Sequence, residues 1–174
     1  MKALLVIDML VDFIDPRGAL YIGPAAEKLV PEVKARLEQY RKEKAPVIFI
    51  CDHHLEDDSE FAMFPPHSVA GSWGGQNFPP PFPKNKEWVI YKRRYSAFFG
   101  TDLDLALREK GINDLELAGC LTNICVLYTA AEARALSYNV SVVEKAVASS
   151  DPEAHRFALQ EMEKTLGVKL IRKA

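Results

Sequence analysis

The sequence has no long apolar run. Its first hydrophobic stretch opens at Ala3 and stops at Asp8, too short for the core of a secretory signal or a membrane-spanning helix. Cytoplasmic residence is therefore the default expectation. Cysteine is scarce: three residues, an odd number without an export signal, argue against a disulfide framework and for reduced thiols. Charge of either sign is nearly cancelled, with 22 basic and 24 acidic residues giving a net −2. That balance offers no electrostatic basis for binding nucleic acid or an anionic membrane. Internal repeats, low-complexity tracts and an interdomain linker are also missing, so residues 1–174 read as one domain. A chain of this length buries about 70% of the surface its unfolded form exposes.

What the sequence does have is alternation. Short apolar runs at 3–7, 46–51, 88–91, 115–119, 140–144 and 168–171 read as strands. Most are continuous and rich in β-branched residues, as in strands covered on both faces of a parallel sheet. Helical periodicity fills 25–44, 101–110, 122–137 and 151–166. Thr101 or Asp102 caps the second of these helices, Asp151 with Pro152 opens the last, and Gly111 and Gly167 end two of them. The pattern predicts an α/β fold, a three-layer α/β/α sandwich around a central, mostly parallel six-stranded sheet. Two irregular segments interrupt it, 9–23 and 52–86. The second holds Pro65, Pro66, Pro79, Pro80, Pro81, Pro83, Trp73, several phenylalanines and three of the four histidines. Loops this long inside a compact domain are commonly functional.

Three residues at or just past strand ends are chemically complementary: Asp8, Lys92 and Cys125. Open α/β sheets bind ligands outside the carboxyl ends of their strands, so an acid, a cation and a thiol placed there predict an enzyme with a reactive cysteine. Cys125 falls where a helix should start, and the helix dipole favours a thiolate at that point. Unpaired N–H groups of the first turn can hold an oxyanion. Cys51 and Cys120, inside or ending apolar runs, read as small buried hydrophobes. Lys92 precedes Arg93 and Arg94 and also fits a solvated basic turn. Asp8, ending a hydrophobic strand, needs a buried partner. Asp12 and Asp15 read as loop or cap residues. Phe13, Phe64, Trp73, Tyr95, Phe98 and Phe99 follow the same strand ends, and such aromatics could line a flat pocket.

Asp52-His53-His54 opens the long loop. In extended backbone alternate side chains share a face, so Asp52 and His54 can converge, and Glu60 and His67 could complete a mixed oxygen and nitrogen set. That set suits Zn²⁺, Mn²⁺ or Fe²⁺. The alternative is a solvated polar loop, which Asp57, Asp58 and Ser59 fit equally. Gly71-Ser72-Trp73-Gly74-Gly75 lacks both the spacing and the preceding strand of a dinucleotide-binding motif.

Taken together, these segments resemble the isochorismatase-like cysteine hydrolases, and within them the nicotinamidases. The carriers are Leu5-Val6-Ile7-Asp8-Met9 with Asp12-Phe13, Asp52-His53-His54, and Phe64-Pro65-Pro66-His67-Ser68-Val69 with Gly71. Lys92-Arg93-Arg94-Tyr95-Ser96-Ala97-Phe98 and Gly119-Cys120-Leu121-Thr122-Asn123-Ile124-Cys125-Val126 complete them. The resemblance spans nearly the whole chain and implies Asp8, Lys92 and Cys125 as a catalytic triad. It implies one divalent metal ion on Asp52, His54 and His67, with Glu60 at the position of a further ligand in some members. Zinc is the first expectation, manganese or iron the alternatives. It also implies a non-prolyl cis peptide at Cys120–Leu121, an oxyanion hole from the N–H groups of Leu121 and Cys125, and a ring seated among Phe13, Phe64, Tyr95 and Leu121. Two departures stand out: Ser68 replaces a common cysteine, and the span from His54 to Glu60 is short. The implied activity is hydrolysis of nicotinamide to nicotinic acid and ammonia through a thioester. The rivals are a C–N hydrolase acting on a carbamoyl or ureido compound, or a non-catalytic thiol or metal binder with Cys120 and Cys125 as a redox pair. The expected partners are a small-molecule substrate and further copies of the chain in a homo-oligomer.

Overall fold

The computed structural model describes residues 1–78, 83–84 and 87–172. Six strands form one sheet: β1 (Lys2–Ile7), β2 (Val47–Asp52), β3 (Trp88–Lys92), β4 (Asp114–Cys120), β5 (Asn139–Ala148) and β6 (Lys169–Ile171). Their order is β3-β2-β1-β4-β5-β6, and every pairing is parallel. The mostly parallel sheet expected from the sequence is thus wholly parallel. Among its described residues the long loop contains a single 3₁₀ turn, Ser59–Ala62, and Pro79, Pro80, Pro81 and Lys86 lie outside the described residues.

The continuous apolar strands are explained by two cores, one on each face. Along β1, Ala3, Leu5 and Ile7 pack to one side and Leu4 and Val6 to the other, as the two-residue period of a strand requires. On the second side lies α2 (Ala25–Lys42), presenting Ala26, Leu29, Val33, Leu37 and Tyr40. The short helix α1 (Val11–Ile14), in a segment expected to be irregular, joins that core through Phe13 and Ile14. On the first side lie α3 (Leu103–Glu109), α4 (Leu127–Ala135) and α5 (Pro152–Lys164). Among the described residues no helix is long and apolar enough to cross a membrane.

Register brings distant residues to one sheet edge. Ile7 pairs with Ile50 on one side and Gly119 on the other, while Asp52 pairs with Lys92. The ends of β1, β2, β3 and β4 therefore meet around the point where the chain reverses its strand order. Gly119 makes that convergence possible: its φ is +120°, and a Cβ there would stand 1.9 Å from the carbonyl oxygen of Ile7. No other residue fits.

Two boundaries differ from expectation by more than two residues. Strand β5 continues past Glu144, because a register shift between Leu117 and Gly119 lets the Glu144–Lys145 stretch bulge before Val147 and Ala148 rejoin β4. The helix expected from residue 122 begins instead with a π-helical turn, Thr122–Val126, that runs on into α4. At the caps, Asp151 accepts from the N–H groups of Glu153 and Ala154 as anticipated. Thr101, rather than Asp102, accepts from Leu103 at the start of α3.

One charged group sits inside the layers. Glu116, in the middle of β4, is fully buried and bound by Arg36 at 2.6 Å and Lys2 at 2.7 Å. Removing one side of such a buried pair leaves the other charge uncompensated. Glu116→Ala should therefore lower the unfolding free energy by about 3 kcal/mol, read as a lower urea midpoint with an unchanged slope.

Candidate active site

Asp8 leaves β1 in the left-handed region, with φ of 49°, a conformation that aspartate tolerates better than most residues. Its own N–H donates to the carbonyl of Ile50 at 2.9 Å. One carboxylate oxygen accepts from the N–H of Asp52 at 2.8 Å, and the other lies 2.9 Å from Nζ of Lys92. Lys92 is fully buried and also makes a close ion pair with Asp52. It donates to Sγ of Cys125 at 3.4 Å. Oxygens of Asp8 and Asp52 and the sulfur of Cys125 all lie within 4.8 Å of one another. The solvated-turn reading of Lys92 is thereby excluded.

The electrostatics separate the two acids. Burial, and then the nearby Asp52 charge, push Asp8 up to about 6 against the opposing pull of Lys92. Burial also works against Asp52, but Lys92 and His54 outweigh it and hold its carboxyl below the usual range. Lys92 loses solvation, yet the carboxylates around it raise its pKa well above that of a free lysine. Burial first, and the two acids next, push the Cys125 thiol well up even though Lys92 pulls it down. Burial and the two acids thus favour the neutral thiol beside an acceptor carboxylate, against the pull of Lys92 toward the thiolate. In the wider π-helical turn Cys125 is the fourth residue, and such turns recur at functional sites.

Asp52 belongs to a second cluster. Its Oδ2 lies 3.7 Å from Nε2 of His54 and 3.8 Å from Nε2 of His67. Both rings are buried, and Nε2 of His54 has no hydrogen-bond partner. Nδ1 of His67 is engaged with the carbonyl of Pro65 at 2.9 Å, which leaves its Nε2 as a lone-pair donor. Three donors with unused lone pairs, spaced near the roughly 3.3 Å separating ligands on a tetrahedral zinc, fit a divalent cation. Glu60 is not in that group of donors. It is buried nearby, its pKa raised chiefly by burial. His53 turns away and stacks on Tyr91.

Asp58 is the residue that sequence reasoning missed, since nothing distinguished it from Asp57. Its side chain is fully buried, 3.2 Å from Nδ1 of His54, with ion pairs to Arg93 and Arg94. It also accepts from the N–H of Glu60. Asp12, expected as a loop or cap residue, is another organiser. Its carboxylate accepts from the N–H of Ala19 at 2.9 Å and of Ser68 at 2.7 Å, packed so tightly that any side chain at Gly74 would overlap it. Asp15 binds Arg17 at the surface. Ser68 is buried, and its carbonyl accepts from the N–H of His54.

Both clusters open into one small pocket lined by Phe13, Leu20, Asp52, Glu60, Phe64, His67, Tyr95, Leu121, Ile124 and Cys125. Phe13, Phe61 and Phe64 pack edge-on against the His67 ring. Phe61, Leu20 and Ile124 carried no distinguishing signal in the sequence. Three other aromatics expected at the pocket are elsewhere: Trp73 stacks on Arg17, Phe98 is core against Tyr138, and Phe99 is exposed. The peptide between Cys120 and Leu121 is cis. Cys120 donates to the carbonyl of Asp8 and packs on the α2 face, whereas Cys125 packs on the opposite face. This placement disfavours the two as a redox pair.

Known proteins are similar to this chain in sequence and fold over nearly its full length. The nicotinamidase/pyrazinamidase of Bacillus subtilis is 35% identical, with a TM-score of 0.93, over 98% of this chain and 99% of that one. The pyrazinamidase of Pyrococcus horikoshii, solved in complex with zinc, is 30% identical with a TM-score of 0.91, covering 99% of each chain. The N-carbamoylsarcosine amidase of Thermoplasma acidophilum is 35% identical with a TM-score of 0.89, over 98% and 95%. The Isochorismatase domain model matches residues 2–173, and the chain belongs to the isochorismatase family of hydrolases.

Proposed function

We propose that the protein is a metal-assisted cysteine amidase converting nicotinamide to nicotinic acid and ammonia. The observation that carries this reading is a single small pocket with the Cys125 thiol and the Asp52–His67 donors both in its wall, and aromatic rings around it. A substrate matching all three is a flat ring bearing a carboxamide and, separately, a nitrogen lone pair. Similarity to a nicotinamidase and to a zinc-bound pyrazinamidase supports it.

In this mechanism Asp8 takes the Cys125 proton as sulfur attacks the carboxamide carbon. Lys92 stabilises the charge passing between the two. The N–H groups of Leu121 and Cys125 hold the oxyanion. Asp8 then returns its proton to nitrogen as the C–N bond breaks, so ammonia leaves and a thioester remains on Cys125. Water, deprotonated by Asp8, attacks the thioester carbon; the acid is released and Asp8 returns the proton to sulfur. A pKa near 6 suits a carboxyl that must be base, acid and base again at neutral pH. Asp52, His54 and His67 would hold a divalent ion, zinc first, which when bound supplies a Lewis-acid contact that orients the ring nitrogen.

A carbamoyl substrate is the second reading, favoured by similarity to the N-carbamoylsarcosine amidase. The pocket opposes it. Among the described residues its wall holds two carboxylates, Asp52 and Glu60, and no arginine, and Lys92 is committed to Asp8, Asp52 and Cys125. A substrate carboxylate would find no free side-chain cation there, only the divalent ion already proposed for the ring nitrogen. Ammonia release should therefore be at least tenfold faster, in kcat/KM, from nicotinamide than from N-carbamoylsarcosine, a difference of about 1.4 kcal/mol; the reverse order would overturn the assignment.

Cys125→Ala should abolish turnover and leave folding and metal content unchanged, whereas Cys51→Ala and Cys120→Ala retain substantial activity. Near-normal ammonia release by the Cys125 variant would remove the mechanism. Asp8→Asn should slow both turnover and iodoacetamide alkylation of Cys125, because the thiol then lacks its acceptor. His54→Ala or His67→Ala should lose bound metal by elemental analysis. Because both rings are buried, each substitution should also cost about 2 kcal/mol of stability. Full metal occupancy in both variants would refute the ligand assignment.

A further inference from the structure

The chain segment that carries the nucleophile is held from behind by residues with no place in the mechanism above. Thr122 and Asn123 follow the Cys120–Leu121 peptide and precede Cys125. The Thr122 side chain is fully buried, and its hydroxyl shares a 2.9 Å hydrogen bond with Nδ1 of His155 on α5. Asn123 accepts a 2.7 Å hydrogen bond from the hydroxyl of Ser149, at the end of β5. That hydroxyl in turn accepts from the N–H of Asp151 at 3.2 Å. Asp151 caps α5 through Glu153 and Ala154, so the β5–α5 corner is itself fixed.

His155 and Ser149 do not line the substrate pocket. They line a separate groove between α2 and α5, together with Leu29, Val147 and Pro152. Any effect they have on catalysis must therefore travel through Thr122 and Asn123. These two residues lie between Leu121 and Cys125, whose N–H groups are the proposed oxyanion donors. A shift of about 1 Å in such groups can cost on the order of a hundredfold in rate.

We infer that the Thr122–His155 and Asn123–Ser149 hydrogen bonds form a bracket that sets the position of the Cys125 thiol and the adjacent N–H groups, with His155 and Ser149 as positioning residues. This inference rests on Cys125 being the nucleophile. The two are tested apart, because ammonia release by the wild type and its loss in Cys125→Ala address the nucleophile alone.

The experiment is a double-mutant cycle on Thr122→Val, which keeps the shape and removes the hydroxyl, and His155→Ala. Each variant should lower kcat about tenfold, with KM and metal content unchanged, and should slow iodoacetamide alkylation of Cys125 in parallel. The double variant should be about as slow as either single one, since both delete the same hydrogen bond. Thr122→Ser should restore the rate. Should Thr122→Val fail to fold, His155→Gln, at a half-buried position, and Ser149→Ala, which deletes one buried hydroxyl, give the same readout. Multiplicative losses in the cycle, an unchanged alkylation rate, or a change in melting temperature without a change in kcat would each overturn the inference.

Discussion

Everything at the catalytic end of the sheet is arranged around one buried ammonium. Lys92 is the sole cation touching Asp8, Asp52 and Cys125 among the described residues, and two carboxylates this close could not both stay ionised in a dry interior without it. The ammonium keeps Asp52 charged and leaves Asp8 poised. Asp52 then faces two ways, toward the lysine and toward the two histidines. The thiol cluster and the histidine cluster are thus not neighbours by accident of packing. They share Asp52.

The fold was legible because β1, β2 and β4 are buried on both faces, and such strands write themselves as unbroken apolar runs. Where a strand departs from that regime, legibility falls. Strand β5 was truncated in the sequence reading at Glu144, since a charged pair looks like an ending and the bulge that admits it has no local signature. The π-helical turn is likewise invisible: Thr-Asn-Ile-Cys-Val would serve an ordinary first turn equally well.

The site divides along the same line. Asp8, Lys92 and Cys125 stood out because polar chemistry at the end of an apolar strand is costly and needs a reason. Asp58 did not, because it sits in a run of acidic and polar residues where only its tertiary partners, His54, Arg93 and Arg94, distinguish it from Asp57. Aromatic residues were read by proximity in sequence. Phe13, Phe64 and Tyr95 do reach the pocket, but Trp73, Phe98 and Phe99 come from the same segments and point elsewhere, since neighbouring positions in a loop need not share a direction.

Asp12 carries a consequence for how the pocket can evolve. It is itself next to Phe13, and the two N–H groups that its carboxylate holds belong to Ala19 and Ser68, the immediate neighbours of Leu20 and His67. Two walls of the cavity are therefore hung from one side chain and a third adjoins it in the chain, while Asp8 and Lys92 are fixed independently at the strand ends and Cys125 on the turn after β4. Substrate preference in such a scaffold can drift by exchanging Phe13 or Leu20, with His67 and the reacting groups kept, provided the hook stays. The same division marks where a designer could recut the pocket, and names Asp12 and His67 as the positions in that wall to leave alone.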